Sequence, residues 1–234
     1  ASNFGVEVIS NKRNAGLGKV YEQLVTIAQE RDVDFLVTID GDGQFDGNEI
    51  TNLIEHLRTN NLDVCLGSRF LDEASIDSVP VVRRAGNRFF SILLGYLTQN
   101  KFSDVSCGFR CYNKASILKL YLSGDFTYTH ESIINLAFQG QKFGQVGVSV
   151  KYFQDRQSRI SGNLLVYGIK TLTIILKVSK DYCPFQVFGT ISLACFSIGL
   201  LLFGLFLKIF FDTSVFTGNL YLGFTGASLL MIGR

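Results

Sequence analysis

The chain has 234 residues, a formal net charge of +2 and a hydrophobic fraction of 47%. This near-neutral charge argues against a nucleic-acid-binding protein, because binding to a phosphate backbone depends on clustered Lys and Arg. The five cysteines are odd in number and form no CxxC pair, so they predict reduced, packing thiols instead of a disulfide framework or a zinc site. The length is enough for one substantial core domain.

The first 70 residues alternate between short apolar runs and amphipathic segments. The pattern predicts strands over 6–10, 34–39 and 62–66, and helices over 19–30 and 48–60. Strands that alternate with helices indicate an α/β domain with a mainly parallel sheet. Ligands of such sheets bind beyond the carboxyl ends of the strands, and an acidic run follows the second predicted strand.

Two later helices carry both apolar and basic residues. The predicted helix over 83–98 has a broad apolar stripe with three arginines near its start, and the segment 163–180 mixes apolar residues with lysines. Helices of this composition either lie flat on a membrane surface or pack into the domain, and the sequence leaves both interpretations open.

The C-terminal region has the composition of membrane-spanning helices. Residues 185–207 carry no charge, and a helix of this length reaches roughly 34 Å, against about 30 Å for a bilayer core. A second uncharged stretch, 213–233, predicts a second span that is cut short, and hence a helical hairpin. For each stretch a buried soluble helix is the alternative. Lys170, Lys177 and Lys180 precede the first span, which predicts that the globular part is cytosolic.

The sharpest local signal is the run from Asp40 through Asp42 to Gln44. Two carboxylates one residue apart, in a Gly-rich turn at the end of a strand, can point into one crevice and suit Mg²⁺ or Mn²⁺. Without a cation, each acid would repel a diphosphate by roughly 4 kcal/mol per charge pair at 4 Å and an effective dielectric of 20. A solvated Asp-Gly turn is the alternative, and Asp-x-Asp alone does not decide between the two.

The motifs that surround this run resemble a known enzyme family. The run N-K-R-N-A-G-L-G-K at 11–19 and the run F-L-V-T-I-D-G-D-G-Q-F at 35–45 are similar to the nucleotide-sugar domain of family 2 glycosyltransferases with a GT-A fold. The remainder resembles their polyprenyl-phosphate branch, which includes dolichol-phosphate mannosyltransferases and bacterial undecaprenyl-phosphate sugar transferases. The matching features are G-S-R-F at 67–70, R-R-A-G-N-R-F-F at 83–90, S-C-G-F-R at 106–110, Glu131 in a helix, and a basic Ser-rich segment before the membrane.

The resemblance implies a fold and an order of regions. It implies an α/β, Rossmann-like GT-A catalytic domain over 1–160, a juxtamembrane amphipathic helix over 161–182 and two transmembrane helices over 183–234, the second of them truncated. Family members also carry an opening strand with a P-x-Y-N-E type segment that grips the nucleotide. We find no such segment, so we expect the chain to be incomplete at its start, and the sequence does not identify the nucleotide.

The resemblance also implies a set of site residues. The catalytic residues would be Asp40, Asp42, Arg69 and Arg83. The metal ligands would be Asp40, Asp42 and Gln44, and the acceptor-phosphate ligands Arg69, Arg83 and Asn87. The donor-binding residues would be Asn14, Gly16, Asp40, Asp104, Arg110, Arg156 and Arg159. The segment 155–161 departs from the family's R-x-x-G-x-S-K loop, because its glycine is absent and its spacing is shorter. We interpret His130 as a helix cap or a surface residue and leave it out of the site.

The implied reaction is inverting transfer of a sugar from a nucleotide-diphosphate sugar to a polyprenyl phosphate, dolichyl or undecaprenyl, at the cytosolic membrane face. An acceptor phosphate oxygen is already anionic near neutral pH, so orientation and charge neutralisation would supply most of the rate. A partner flippase or a homo-oligomer is compatible with the two spans. One alternative is a processive polysaccharide synthase, against which the absence of any Trp argues, because those enzymes carry a Q-x-x-R-W segment. The other is a catalytically silent membrane scaffold.

Overall fold

The structure is a computed structural model, and it describes residues 5–71, 76, 79–122, 128–151, 164–213 and 219–233. The chain divides into two compact units, Ala1–Val178 and Ser179–Arg234. The first unit is an α/β domain, and the second consists of helices.

The first unit alternates helices and strands along the chain. In order, its described elements are α1 (Leu17–Glu30), β1 (Phe35–Thr38), a 3₁₀ turn (Gly47–Glu49), α2 (Ile50–Thr59), β2 (Val64–Ser68), α3 (Val81–Thr98), β3 (Arg110–Asn113), α4 (Lys114–Lys119), α5 (Thr129–Phe138), β4 (Phe143–Gly147) and α6 (Leu164–Tyr182), the last of which runs across the boundary between the units.

Most of the predicted elements are confirmed, and one is wrong. Each predicted helix of the first unit, and the strands predicted over 34–39 and 62–66, has its counterpart within a few residues. The predicted strand over 6–10 is wrong, because none of the described strands pairs with it. Its apolar residues Val6, Val8 and Ile9 are exposed, so they lack the packing that stabilises a strand.

The sheet is mixed, which corrects the prediction of a mainly parallel sheet. Its strand order is β1-β3-β2-β4, and β3 pairs antiparallel with both β1 and β2, while β2 pairs parallel with β4. It follows that β1, β2 and β4 point in one direction and β3 in the other. Residues 103–109, the edge segment, lie beside the ends of β1 and β2, because Thr38 donates to the carbonyl of Gly108 and the backbone N–H of Gly67 donates to that of Phe109. Asn87 in α3 also bonds to this segment. The chain therefore enters β3 at the edge where β1 and β2 end, so β3 runs antiparallel to both.

One buried hydrophobic cluster of the first unit lies between α2 and the sheet. It contains Leu53, Leu57, Cys65, Cys107, Phe109, Cys111 and Val148. Burial raises the pKa of the thiols of Cys65, Cys107 and Cys111 to about 12. These three cysteines are free thiols that fill space in the core, as the sequence predicted.

The second unit contains α7 (Pro184–Thr213) and α8 (Leu220–Ile232). An 18-residue stretch within Pro184–Asp212 has a mean hydropathy of 2.3, and this helix is long and apolar enough to cross a membrane. By contrast, α8 has 13 residues and a length of about 20 Å, which is less than a bilayer core.

Glycines set the distance between α7 and α8. A methyl group on Gly199 would lie 2.9 Å from the carbonyl oxygen of Gly226, and one on Gly226 would lie 2.8 Å from the backbone nitrogen of Phe203. Gly223 meets the ring of Phe206, farther along α7. The two helices are therefore antiparallel and pack with their backbones close together, as small residues allow in apolar helix pairs.

This packing predicts the effect of a larger residue. Gly226→Leu is expected to force α7 and α8 apart and to destabilise the pair by about 1–3 kcal/mol. Thermal unfolding of the full chain in detergent measures the change. Gly204→Leu is the matched control, because a side chain at Gly204 meets nothing within 4 Å. Equal stability of the two variants would contradict the close packing.

Candidate functional site

The ends of three strands bring the predicted site residues to one edge of the sheet. Asp40 follows β1 by two residues, Arg69 follows β2 directly, and the edge segment ends where β3 begins at Arg110. Since β1 and β2 point the same way and β3 points the opposite way, all three positions lie at the same edge. A mixed sheet thus gives the same convergence that the parallel sheet was expected to give.

Residues 40–44, the acidic loop, form a turn that is stabilised by a side chain of the loop itself. The backbone N–H of Gln44 donates to Oδ1 of Asp42 at 3.0 Å, and Gly43 has a φ of 76°, a conformation that favours glycine. The carbonyl oxygen of Gln44 accepts from the backbone N–H of Lys151 at 2.9 Å. The acidic loop is therefore fixed to the segment that leads into residues 152–163.

The carboxylate of Asp40 lies against Gly108 in the edge segment, and only glycine fits at position 108. A methyl group on Gly108 would lie 3.2 and 3.3 Å from the two carboxylate oxygens of Asp40. Partial burial raises the pKa of Asp40, the negative charge of Asp42 raises it further, and Arg69 and Arg110 act in the opposite direction. The arrangement concentrates negative charge at this edge, which favours a bound cation.

The donor set of the acidic loop fits a hard divalent cation. Carboxylate and amide oxygens of Asp40, Asp42 and Gln44 are the ligand type that Mg²⁺ and Mn²⁺ take. Among the described residues there is no cluster of three or more His, Cys, Asp or Glu side chains suited to a metal. A cation held here would take its remaining ligands from water and from substrate phosphates, which is the usual pattern for Mg²⁺.

Asp104 holds Arg69 in a two-pronged ion pair. Nε of Arg69 donates to Oδ2 of Asp104 at 2.7 Å, and Nη2 donates to Oδ1 at 3.0 Å. The Asp104 carboxylate is fully buried and also accepts the backbone N–H groups of Ser106 and Cys107 at 3.1 and 3.2 Å. These contacts do not support the predicted direct contact between Asp104 and the donor. They make Asp104 a residue that orients Arg69.

Arg110 is also buried, with 1% exposure, and its guanidinium binds backbone carbonyls. Nε donates to the carbonyl of Cys107 at 2.8 Å, Nη2 to that of Val105 at 2.8 Å and Nη1 to that of Thr129 at 2.7 Å. Arg110 therefore joins the edge segment to the start of α5. This placement does not support direct donor binding by Arg110, which stays a prediction.

In α3, Asn87 is buried and its side chain serves the edge segment. Its Nδ2 donates to the carbonyl of Ser103 at 2.8 Å, and its Oδ1 accepts from the backbone N–H of Val105 at 3.2 Å and from Oγ of Ser106 at 3.0 Å. The contacts of Asn87 favour positioning over acceptor binding. Arg83, one turn earlier in α3, is half-buried, and its acceptor role stays a prediction.

The remaining predicted donor residues are only partly described. Gly16 precedes α1 with a φ of 83°, and its backbone N–H donates to Oδ1 of Asn14 at 3.1 Å. Asn14 and Gly16 thus shape the turn that begins α1. Arg156 and Arg159 lie outside the described residues.

The structure adds two tyrosines that the motifs did not indicate. Tyr128 precedes α5, and its hydroxyl donates to the carbonyl of Gly108 at 3.3 Å. Tyr167, in α6, lies close enough to the Arg69–Asp104 pair for those charges to act on its pKa, which burial raises. Neither tyrosine stands inside a motif, so no pattern in a single sequence points to them.

The interpretation of His130 as a cap or a surface residue is wrong. His130 is fully buried beside Phe90, with the ring centroids 5.3 Å apart. Burial and then the charge of Arg110 lower its pKa to about 3, so the imidazole is neutral at physiological pH. The ring of His130 packs between α3 and α5.

Comparisons with known proteins identify the family. The model described as glycosyl transferase family 2 matches residues 1–121. An uncharacterized protein of Methanocaldococcus jannaschii is 32% identical over 79% of this chain and 77% of its own length. A UDP-N-acetylglucosamine–dolichyl-phosphate N-acetylglucosaminyltransferase of Methanococcus voltae is 22% identical over 75% of this chain and 71% of its own length. An undecaprenyl-phosphate mannosyltransferase of Micrococcus luteus is 25% identical over 74% and 72%.

These matches agree with the motifs read from the sequence. The family match covers the acidic loop and the edge segment, and two of the relatives are sugar transferases whose names state a polyprenyl phosphate. The predicted resemblance is confirmed. The chain belongs to glycosyl transferase family 2.

Proposed function

We propose that the chain transfers a sugar from a nucleotide-diphosphate sugar to a polyprenyl phosphate, with inversion, at the cytosolic face of a membrane. The observation that carries the proposal is the meeting of the acidic loop and the Asp104-bound Arg69 at one edge of the sheet. The relatives named for dolichyl-phosphate and undecaprenyl-phosphate transfer support this choice of acceptor.

The acidic loop is the donor side of the proposed site. Asp40, Asp42 and Gln44 would hold a divalent cation, and that ion would supply charge neutralisation for a departing nucleoside diphosphate. Gly43 keeps the loop tight, and the bond from Lys151 keeps it in place. The loop thus orients the donor before the reaction and costs little reorganisation during it.

The arginines are the acceptor side of the proposed site. Asp104 fixes one edge of the Arg69 guanidinium, so this side chain loses little rotational freedom when it binds a phosphate. Arg83 adds a second permanent positive charge from α3. Together they place an acceptor phosphate oxygen for attack on the anomeric carbon, opposite the departing diphosphate.

The surface of α3 fits a lipid acceptor. One face of this helix packs into the domain, while Val81, Val82, Phe89, Ile92 and Tyr96 are between 49% and 76% exposed and lie on the opposite face. These residues recur at helical spacing along the 18-residue helix, which is about 27 Å long. The two interpretations left open for this helix therefore combine, because one face packs and the other presents an apolar stripe suited to a membrane surface.

The following helices extend the membrane-bound region. In α6, Leu165 and Ile169 are exposed on the same side as each other, with Lys170 and Lys177 at the flank. We propose that α6 lies at the headgroup level and that α7 crosses the bilayer. The tight pairing of α7 with α8 supports a helical hairpin within the membrane, in which α7 is long enough to cross the bilayer and the described part of α8 is shorter. A homo-oligomer or a flippase partner stays a prediction.

The apolar stripe of α3 gives a prediction of its own. The variant Phe89→Gln/Ile92→Gln is expected to lower transfer to long-chain polyprenyl phosphate in vesicles by about tenfold, because the enzyme loses contact with the surface that carries its acceptor. Transfer to a short, water-soluble polyprenyl phosphate is expected to stay near the wild-type rate. Leu24→Gln, at an exposed position on α1, is the control. Equal losses with both acceptors would contradict the membrane role of this face.

Donor binding tests the proposed function directly. Full-length protein in detergent is mixed with Mn²⁺ and a panel of UDP- and GDP-sugars, and the thermal unfolding midpoint is recorded. One nucleotide sugar is expected to raise the midpoint only when Mn²⁺ is present, since a ligand that binds the folded state stabilises it. No shift with any donor would favour the catalytically silent scaffold.

A further inference from the structure

Tyr128 occupies a rigid position under the site. Its ring stacks on that of Tyr21 in α1, with centroids 4.0 Å apart and planes 11° apart, and the guanidinium carbon of Arg110 lies 6.0 Å from its ring centre. Only 4% of Tyr128 is exposed. The rigid stack fixes where the hydroxyl points.

The hydroxyl of Tyr128 shares one acceptor with the last residue of β1. Oη of Tyr128 donates to the carbonyl of Gly108 at 3.3 Å, and Oγ1 of Thr38 donates to the same carbonyl at 2.7 Å. Asp40 follows Thr38 by two residues. The Gly108 peptide is therefore held from both sides, by β1 and by the residue before α5.

The space beside Gly108 shows how close the Tyr128 hydroxyl and the Asp40 carboxylate lie to each other. A methyl group at this position would be 2.8 Å from Oη of Tyr128 and 3.2 Å from a carboxylate oxygen of Asp40. The phenol and the carboxylate thus border the same small space. Burial raises the pKa of Tyr128; Arg110 opposes this, while Tyr112 and Asp40 add to it, so the hydroxyl keeps its proton and stays a donor.

We propose that Tyr128 is a positioning residue for Asp40. Its hydroxyl holds the Gly108 peptide against which the Asp40 carboxylate lies, and so keeps that carboxylate where it can bind a divalent cation together with Asp42. The inference rests on the proposed function, since a cation at the acidic loop is what the positioning serves. Partners one step removed from a metal commonly change its affinity by tenfold or more.

The test is direct Mn²⁺ binding by the full chain in detergent, read from the electron paramagnetic resonance signal of free Mn²⁺. Binding is measured with Mn²⁺ alone and then with UDP or GDP added. Tyr128→Phe keeps the ring stack and removes only the hydroxyl. We expect this variant to bind Mn²⁺ about tenfold more weakly than the wild type, with an unchanged circular dichroism spectrum.

Tyr21→Phe is the matched control. It removes a hydroxyl from the other ring of the stack, and this hydroxyl interacts with Tyr112, Arg110 and Tyr128 instead of Asp40. Its Mn²⁺ affinity is expected to equal that of the wild type. A Tyr128→Phe protein that binds Mn²⁺ as tightly as the wild type would overturn the positioning role and leave the proposed function intact.

Two further outcomes are decisive. If Tyr128→Phe does not fold, Thr38→Val removes the other hydrogen bond to the Gly108 carbonyl. Weaker Mn²⁺ binding by Thr38→Val would support the inference, and unchanged binding would overturn it. If the wild type itself binds no Mn²⁺ under any of these conditions, the cation site and the positioning role both fall.

Discussion

Asp42→Asn is expected to lower sugar transfer by at least about a hundredfold while leaving the fold intact. The substitution removes one of two adjacent negative charges from the acidic loop, and with it much of the attraction for a divalent cation. The loop keeps its shape, because an asparagine Oδ1 can still accept the backbone N–H of Gln44. Initial rates with excess donor and acceptor, together with a circular dichroism spectrum, measure the two effects separately.

The control for Asp42→Asn removes the same charge nearby. Asp46 accepts the backbone N–H of Asn48 at 2.9 Å and begins the 3₁₀ turn over Gly47–Glu49. Asparagine makes the same cap, so Asp46→Asn is expected to retain near-normal turnover. Normal, metal-dependent turnover by Asp42→Asn would defeat the assignment of the site.

Gly108→Ala is expected to abolish most Mn²⁺ binding and most transfer. The new methyl group would lie 2.8 Å from Oη of Tyr128 and 3.2 Å from the Asp40 carboxylate, so at least one of these groups has to move. Overpacking at a rigid site of this kind also costs about 1–3 kcal/mol of stability. Mn²⁺ titration and thermal unfolding of the same preparation separate the two losses.

Gly47→Ala is the matched glycine substitution. A side chain at Gly47 meets nothing within 4 Å, so this variant is expected to bind Mn²⁺ and transfer sugar as the wild type does. If Gly108→Ala bound Mn²⁺ and transferred sugar as well as Gly47→Ala does, the contact between Asp40 and the edge segment would contribute to neither property.

Local patterns predicted the acidic loop well. An apolar run that ends in Asp and Gly is typical of a strand followed by a tight turn, and β1 and the acidic loop follow that pattern. The same reasoning located β2, whereas the role of Arg69 was implied by the family resemblance. These features depend on residues that are close in sequence, which is the kind of information that periodicity and turn chemistry carry.

Strand direction was beyond that kind of reasoning. The alternation of strands and helices suggested a mainly parallel sheet, whereas β3 runs antiparallel between β1 and β2. The chain enters β3 from the edge segment, and this segment is bonded to residues far away in the sequence, such as Asn87, which lies 16 to 19 positions from its partners. Such tertiary hydrogen bonds leave no periodic trace in the sequence.

The division of roles inside the motifs was also not visible in the sequence. Asp104 and Arg110 flank the Cys-Gly-Phe segment, and the family resemblance implied donor contacts for both, while in the structure both side chains are buried and bind protein groups. The sequence of a motif does not tell whether a charged residue contacts the substrate or positions another residue that contacts it. Only burial and hydrogen-bond partners distinguish the two cases.

In the proposed function, the residues at this edge of the sheet transfer one sugar onto a lipid phosphate. Mass spectrometry of the lipid fraction tests it, after the full chain has been incubated in detergent with Mn²⁺, polyprenyl phosphate and the donor that stabilises it. We expect polyprenyl phosphate heavier by a single sugar residue, with an equal amount of free nucleoside diphosphate. A sugar polymer, or free sugar with unchanged polyprenyl phosphate, would contradict it.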